Sequence, residues 1–212
     1  MKIFLKALIV SGTAAALIIG IVFINIMQKG GAYSNKSMNE ILGISSEKAD
    51  VKQILALSKS DFIQLFYSAP APDAENFYGE FSAVNHPGGI MAPAVQVFTD
   101  NFFGKGKWSG KKFTPLKNNA GEGFNIFIKK KSSTEAPNER MLERKMKTYI
   151  GKSVYDNKDS YHLVYKSYNE DIIVSSMRDE IRKINGNLYI GLGYMGLGGG
   201  AINPSGFILY KK

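Results

Sequence analysis

Cysteine is absent from the 212 residues, and histidine occurs only twice, at His86 and His162. The first absence excludes a disulfide scaffold, a thiol nucleophile and every cysteine-ligated metal centre. Two histidines exclude three-histidine zinc sites, and no spacing pairs them as ligands, so neither a metal nor a cofactor is expected. Also missing are a serine-nucleophile motif, a phosphate-binding loop, an HExxH helix and a catalytic carboxylate spacing. Acidic residues are in the minority, 18 against 27 Lys and Arg, for a formal charge of +9. The chain is nonetheless 44% hydrophobic and 12% aromatic, enough for a real core and unlike a disordered polymer.

The most conspicuous feature present is an uncharged run from Ala7 to Met27, broken only by Ser11, Thr13 and Asn25. As a helix it would reach about 30 Å, the depth of a hydrocarbon core. Lys2 and Lys6 precede it and Lys29 closes it. A cleaved signal peptide has a shorter apolar region, although Gly30-Gly31-Ala32 would serve as a small-residue cleavage site. The expectation is therefore an uncleaved signal anchor: a single-pass transmembrane helix in the cell membrane, N-terminus cytoplasmic, with an extracytoplasmic domain beyond it. Gly12, Ala16 and Gly20 form a small-residue stripe through which two such helices would dimerise. The domain plan is then a cytoplasmic tail (1–6), a transmembrane helix (7–27), a juxtamembrane spacer and helix (28–57) and an exported globular domain (58–212), β-rich from about residue 105. Without Lys2, Lys6 and Lys29, the charge left to that domain is about +6.

Between residues 46 and 103 the period is helical. Val51, Ile54 and Leu55 predict a short helix. Ser58 is placed to cap a second helix, with Asp61 at its third position and Phe62, Leu65 and Phe66 as its apolar stripe. Ala69-Pro70-Ala71-Pro72 ends it. Glu80–Asn85 reads as a strand and His86-Pro87-Gly88-Gly89 as a turn, with His86 a polar surface or rim residue. A further helix starts near Pro93, with Val95, Phe98 and Phe102 on one face and Gly104 as its stop.

Beyond Lys105 the period becomes two. Seven strands are expected: Lys107–Phe113, Gly123–Lys130, Lys145–Gly151, Ser160–Lys166, Ile172–Ile184, Asn187–Tyr194 and Phe207–Lys211. Asn185-Gly186 is a type I′ hairpin signature. The fold class predicted is mainly β (α+β): an antiparallel barrel or sandwich of about seven to eight strands, with the helices over one end or edge.

Gly106-Lys107-Trp108 opens this tract and resembles the Gly-x-Trp of the lipocalin and fatty-acid-binding (calycin) barrels. The fuller Gly106-Lys107-Trp108-Ser109-Gly110 is also similar to a Gly-x-Trp-x-Gly motif of bacterial proteins without an assigned function. The resemblance implies a ligand-holding barrel in which an Arg or Lys from a late strand stacks on the Trp108 indole; Arg182, Lys183 and Lys211 are the candidates. The helical region before the motif departs from that pattern.

Other motifs resolve into chemistry or into structure. Gly191-Leu192-Gly193-Tyr194-Met195-Gly196 fits G-x-G-x-x-G, but no helix follows it, so the glycines are read as bends and close packing, with a mobile rim loop after them. Lys105, Lys107, Lys111, Lys112 and Lys117 suit an anionic lipid surface or an acidic polymer, or else a solvated strand edge. Nucleic acid is not expected as a partner of an exported domain. On the strand through residue 179, Asp179 shares a face with Met177 and Ile181, and Arg178 lies on the other. Whichever points inward would orient the polar end of a ligand. Tyr161, Tyr165, Tyr189 and Tyr194 are candidates to line the interior.

Three functions follow as expectations. The first is a membrane-anchored barrel binding a small apolar or amphipathic ligand through Asp179 or Arg178, with Trp108, Tyr194 and His162 as further contacts. The second is an isomerase- or hydrolase-like enzyme on such a ligand, with Asp179 and His162 or a tyrosine as acid and base. It requires two titratable groups within hydrogen-bond reach in one pocket, and Asp179 and His162 on opposite faces would remove it. The third is a structural or assembly protein of the cell envelope.

Overall fold

The computed structural model describes residues 2–129, 139–168, 170–196 and 199–211; for residues 2–12 and for Ala14 and Ala15 it describes the backbone alone. Eight antiparallel strands close into a barrel in chain order: β1 (Gly79–Asn85), β2 (Lys107–Phe113), β3 (Gly121–Lys129), β4 (Glu139–Lys152), β5 (Asp159–Val164), β6 (Met177–Lys183), β7 (Leu188–Met195) and β8 (Ser205–Tyr210). The last pairs with the first, Asn85 opposite Phe207 and Ser82 opposite Tyr210, so no strand edge is left open. The mainly β expectation therefore resolves as an eight-stranded closed barrel, in keeping with calycin-like ligand-binding barrels in general.

Two apolar clusters use the two faces of this sheet. Inside, Phe77, Phe81, Phe113, Tyr161 and Tyr189 pack ring against ring, with centroids 4.7–5.8 Å apart, as part of the interior core. Outside, α3 (Val51–Leu55) and α4 (Lys59–Ser68) lay Ile54, Phe62, Leu65 and Phe66 on Leu188, Ile190, Leu192 and Ile208. The run Leu188–Leu192 is thus buried on both faces. Arg182, fully buried on the outer side, secures this layer with two hydrogen bonds to Asp156, at 2.6 and 2.7 Å, and one to the Phe66 carbonyl.

Local signals act largely as chemistry dictates. The Ser58 hydroxyl accepts from the Asp61 amide and caps α4, and Ala69, ahead of Pro70, ends it in extended geometry. A five-residue helix, α2 (Met38–Leu42), has a capping box between Ser37 and Glu40. Pro93 sits in the first turn of α5 (Ala92–Asn101), but Phe102, expected on its packed face, is 68% exposed. The strand expected over Ile172–Ile184 begins as a helical turn, α6 (Ile172–Ser175), because the Asp171 carboxylate caps the Val174 amide. Asn185-Gly186 does lie between β6 and β7, yet neither residue has a positive φ. The Asn185 side chain donates instead to the Ser46 and Ala49 carbonyls, which stretches the hairpin loop to residues 184–187.

The N-terminal expectation is corrected. Among the described residues no helix is long and apolar enough to cross a membrane, so the transmembrane helix, the signal anchor and the single-pass topology with a cytoplasmic N-terminus and an extracytoplasmic domain do not hold. Helix α1 (Lys2–Met27) instead has its end tied to the barrel. Asn25 is buried, its amide donates to Asn203 Oδ1 and its carbonyl accepts from Lys59 Nζ at 2.8 Å, while the Gln28 side chain accepts from the Ile90 amide. An apolar run judged by length does not reveal such polar ties. The dimer stripe rests on that membrane helix and falls with it; in the chain Ala16 is exposed and a Cβ at Gly20 would meet nothing within 4 Å. Gly12, and the flanking Lys2 and Lys6, lie outside the described side chains. Nor is the lysine run one basic face for an anionic lipid or acidic polymer. Lys105 pairs with Glu143, Lys112 with Glu80, and Lys111 turns inward to Asp179; Lys107 opens β2 opposite Ile128.

His86 is also corrected, being 5% exposed with its ring 4.2 Å from that of Phe62 and its Nδ1 accepting from the Gly88 amide. Burial pushes its pKa down from 6.5 to about 4. The unfolded chain therefore takes up this proton first, so His86 should cost the fold about 3 kcal/mol between pH 6.5 and 4, with full stability above that window. Urea midpoints across this range should fall for the native protein and fall less for His86→Gln. Packing predicts a second result. A Cβ on Gly110 would collide with the Phe81 carbonyl oxygen, whereas one on Gly186 meets nothing. Gly110→Ala should lose about 1–3 kcal/mol in urea unfolding and Gly186→Ala should be near neutral.

Candidate functional site

Strict alternation along β2 would send Trp108 and Lys111 to opposite faces. A bulge prevents this: Trp108 opposes Phe127 and Gly110 opposes Ile126, leaving Ser109 as an extra residue. The slip puts Trp108, Lys111 and Phe113 on the inner face. A second irregularity follows in the β3–β4 ladder, where the register shifts between Gly123 and Asn125 and Arg144 takes φ 53°. Asn125 lies with Phe127 on the inner side, so that the Phe124 ring is left to Lys145 outside.

These devices assemble a polar cluster within an aromatic wall. Lys111 Nζ donates to Asp179 Oδ2 at 3.0 Å, to Asn125 Oδ1 at 2.9 Å and to the Tyr165 hydroxyl at 2.9 Å. Tyr165 in turn donates to Asp179 Oδ2 at 2.9 Å, and Trp108 Nε1 donates to Asn125 Oδ1 at 3.0 Å. Lys111, Tyr165, Asn125 and Asp179 are each buried to 96% or more. The ammonium also stands 5.2–5.6 Å from the ring centres of Phe207, Trp108 and Tyr165. Burial pulls the Lys111 pKa below its ordinary value, with the Asp179 charge opposing. Burial, then the same charge, drives the Tyr165 hydroxyl well above its own.

Beside this cluster the barrel is hollow. A cavity of about 220 Å³ is lined by Lys111, Tyr165, Asp179 and Trp108 at its polar side and by apolar residues including Met91, Val95, Phe98 and Phe207. For scale, a ~150 Å³ apolar cavity takes up benzene. The glycines of the G-x-G-x-x-G run make room for its floor. A Cβ at Gly193 would come within 2.7 Å of Asp179 Oδ1, and one at Gly191 would collide with the Phe207 ring. The rim loop after them is described from Gly199, with Leu197 and Gly198 outside the described residues; Asn203 at its end lines the cavity and meets Asn25.

Of the residues singled out in the sequence, Asp179 and Trp108 meet at this site, and Tyr194 contributes to the cavity wall. Arg178 does not join them: its guanidinium donates to the Ser175 and Met177 carbonyls. His162 opposes Glu180, while Leu163 opposes Asp179, so His162 and Asp179 lie on opposite faces and cannot act together. His162 stacks on Tyr149 instead, at 4.8 Å. Tyr161 and Tyr189 belong to the packed ring cluster, and Tyr165 to the site. The cation over the indole comes from the same strand as Trp108. Arg182 lies over Phe66 and Lys211 over Phe81, leaving that role to Lys111. Lys111 and Asn125 are the site residues that sequence reading missed: the bulge turns Lys111 inward, and Asn125 shares the inner face of β3 with Phe127. The available signal was Gly110, a residue fitted to a close strand approach.

No family model matches the chain, and no curated protein matches it. A solved structure, described as the crystal structure of a protein from Thermomonospora curvata, is similar at 12% identity and a TM-score of 0.44, over 82% of this chain and 95% of that one.

Removing one partner of a buried pair strands the other charge. Lys111→Met should therefore destabilise the fold by about 3–5 kcal/mol in urea unfolding. The double variant Lys111→Met, Asp179→Leu should recover most of the loss, since an apolar replacement for both charges is often near neutral.

Proposed function

We propose that the barrel admits a small, neutral, largely apolar molecule and moves a proton on it, in the manner of an isomerase. The membrane-anchored form of ligand binding falls with the transmembrane helix, and the acid/base reading is the better supported. One observation carries it: Asp179, Tyr165 and Lys111 form a single hydrogen-bonded unit on the wall of an otherwise apolar cavity. The unit has no net charge when Asp179 is ionised and Lys111 protonated, so it offers no counter-charge to an ionic ligand. A neutral molecule with one polar end fits it better.

The roles follow from the chemistry of each group. The Asp179 carboxylate is an acceptor able to take a proton from carbon and return it elsewhere on the same molecule. Tyr165 and Lys111 both donate to that carboxylate, and once it has taken up a proton these O–H and N–H donors are free to turn toward negative charge on a substrate oxygen. Hydrolysis is the weaker alternative. Among the described residues no histidine lines the cavity, and Ser205, its one lining serine, has no histidine beside it there to activate it.

The test is exchange of carbon-bound hydrogen. With cyclohexanone in D2O, the native protein should speed the loss of the α-proton NMR signals. Asp179→Asn should lower that rate about 10²–10⁴-fold. Native protein that exchanges no faster than buffer would overturn the reading. Uptake itself is followed by the fluorescence of Trp108, the chain's single tryptophan.

A further inference from the structure

Among the described residues, Lys111 is the one amine lining the cavity. A buried ion pair adds little stability over an apolar pair of the same shape, so stability alone does not account for a lysine here. What the placement supplies is a desolvated nucleophile with a proton acceptor 3.0 Å away, facing space for a small molecule. We propose that Lys111 is a covalent attachment site for a small apolar aldehyde or ketone, held as an imine whose positive charge is balanced by Asp179. The inference rests on the reading that the cavity takes a neutral, largely apolar ligand, and it names the carbonyl group as that ligand's polar end.

The step balances without an oxidant or reductant. A proton on Lys111 Nζ passes to Asp179 Oδ2, and the freed lone pair attacks the carbonyl carbon to give a carbinolamine. Proton transfer from nitrogen to the carbinolamine oxygen, through Asp179, lets that oxygen leave as water. One ammonium and one carbonyl thus give one iminium and one water. The total charge is unchanged, and Asp179 ends as the carboxylate. An iminium in an apolar cavity is costly without a counter-ion. Asp179 is already in place, and the Tyr165 hydroxyl donates to the same carboxylate oxygen at 2.9 Å. The iminium has a single N–H, which Asp179 can accept; the Lys111 contacts to Asn125 and Tyr165 are given up, while Trp108 still donates to Asn125 and Tyr165 to Asp179.

The test uses benzaldehyde with the full chain at neutral pH, trapped by cyanoborohydride and read by intact mass and peptide mapping. The expected product carries one benzyl group per chain, on Lys111, and Lys111→Arg loses it at least tenfold. If the arginine variant fails to give the native circular dichroism, the map of the native chain decides alone. Labelling of Lys59, of the surface lysines or of the terminal amine with Lys111 untouched would overturn the proposal. Benzyl alcohol, equal in size but without a carbonyl, separates the two readings. If it changes Trp108 fluorescence while benzaldehyde leaves Lys111 unlabelled, covalent attachment fails and ligand uptake stands. If neither compound changes the fluorescence and Lys111 stays unlabelled, both fail.

Discussion

The ion pair between Lys111 on β2 and Asp179 on β6 is the interaction on which the interior of this barrel turns. Two charges in a space otherwise walled by aromatic rings are tolerable only if each is paired and hydrogen-bonded. Every neighbouring feature meets that demand. The bulge at Ser109 delivers the lysine, and Gly193 leaves room for the carboxylate. Asn125 and Tyr165 take the remaining hydrogen bonds, while Trp108 and Phe207 face the ammonium with their rings. The pair is also what makes the cavity more than a packing defect, since it gives an apolar space one polar, proton-holding side.

Around that pair the barrel interior holds both core and cavity. Phenylalanine and tyrosine rings pack into the core. The cavity is walled by residues of α5, the end of α1 and Asn203. The outer surface of β7 and β8 is not free for solvent, because α3 and α4 cover it. Rigid packing on both faces of those strands holds the glycine-bearing β7 in place, and with it the position of Asp179.

Much of this was legible along the chain. The existence of the sheet tract follows from burying one face of each strand, and Asp179 could be assigned to the same face as Met177 and Ile181 from parity alone. The Ser58 cap and the Pro70 stop are local hydrogen bonding and local sterics, and they appear as expected. Lys111 was not legible, because a bulge changes parity and its presence depends on how two strands meet. His86 was misread for a related reason. A histidine in a Pro-Gly turn looks exposed until α4 brings Phe62 against it. The Asn185-Gly186 hairpin kept its place but not its turn type, since Asn185 found carbonyls far away in sequence.

The N-terminal segment shows the same division. Its apolar composition predicts a helix, and a helix forms, but its end is decided by Asn25 and its contacts with Lys59 and Asn203. Composition and periodicity by themselves determined a cysteine-free, mainly β chain with capped helices ahead of the sheet tract, Asp179 on one strand face with Met177 and Ile181, and one tryptophan at the first strand after the helices. The tertiary structure alone decided that the barrel closes, that a lysine joins the acid, that His162 faces away, and that a cavity of about 220 Å³ is left beside the pair. Periodicity is a property of neighbours in sequence, whereas register shifts, ion pairs and cavities belong to residues tens of positions apart.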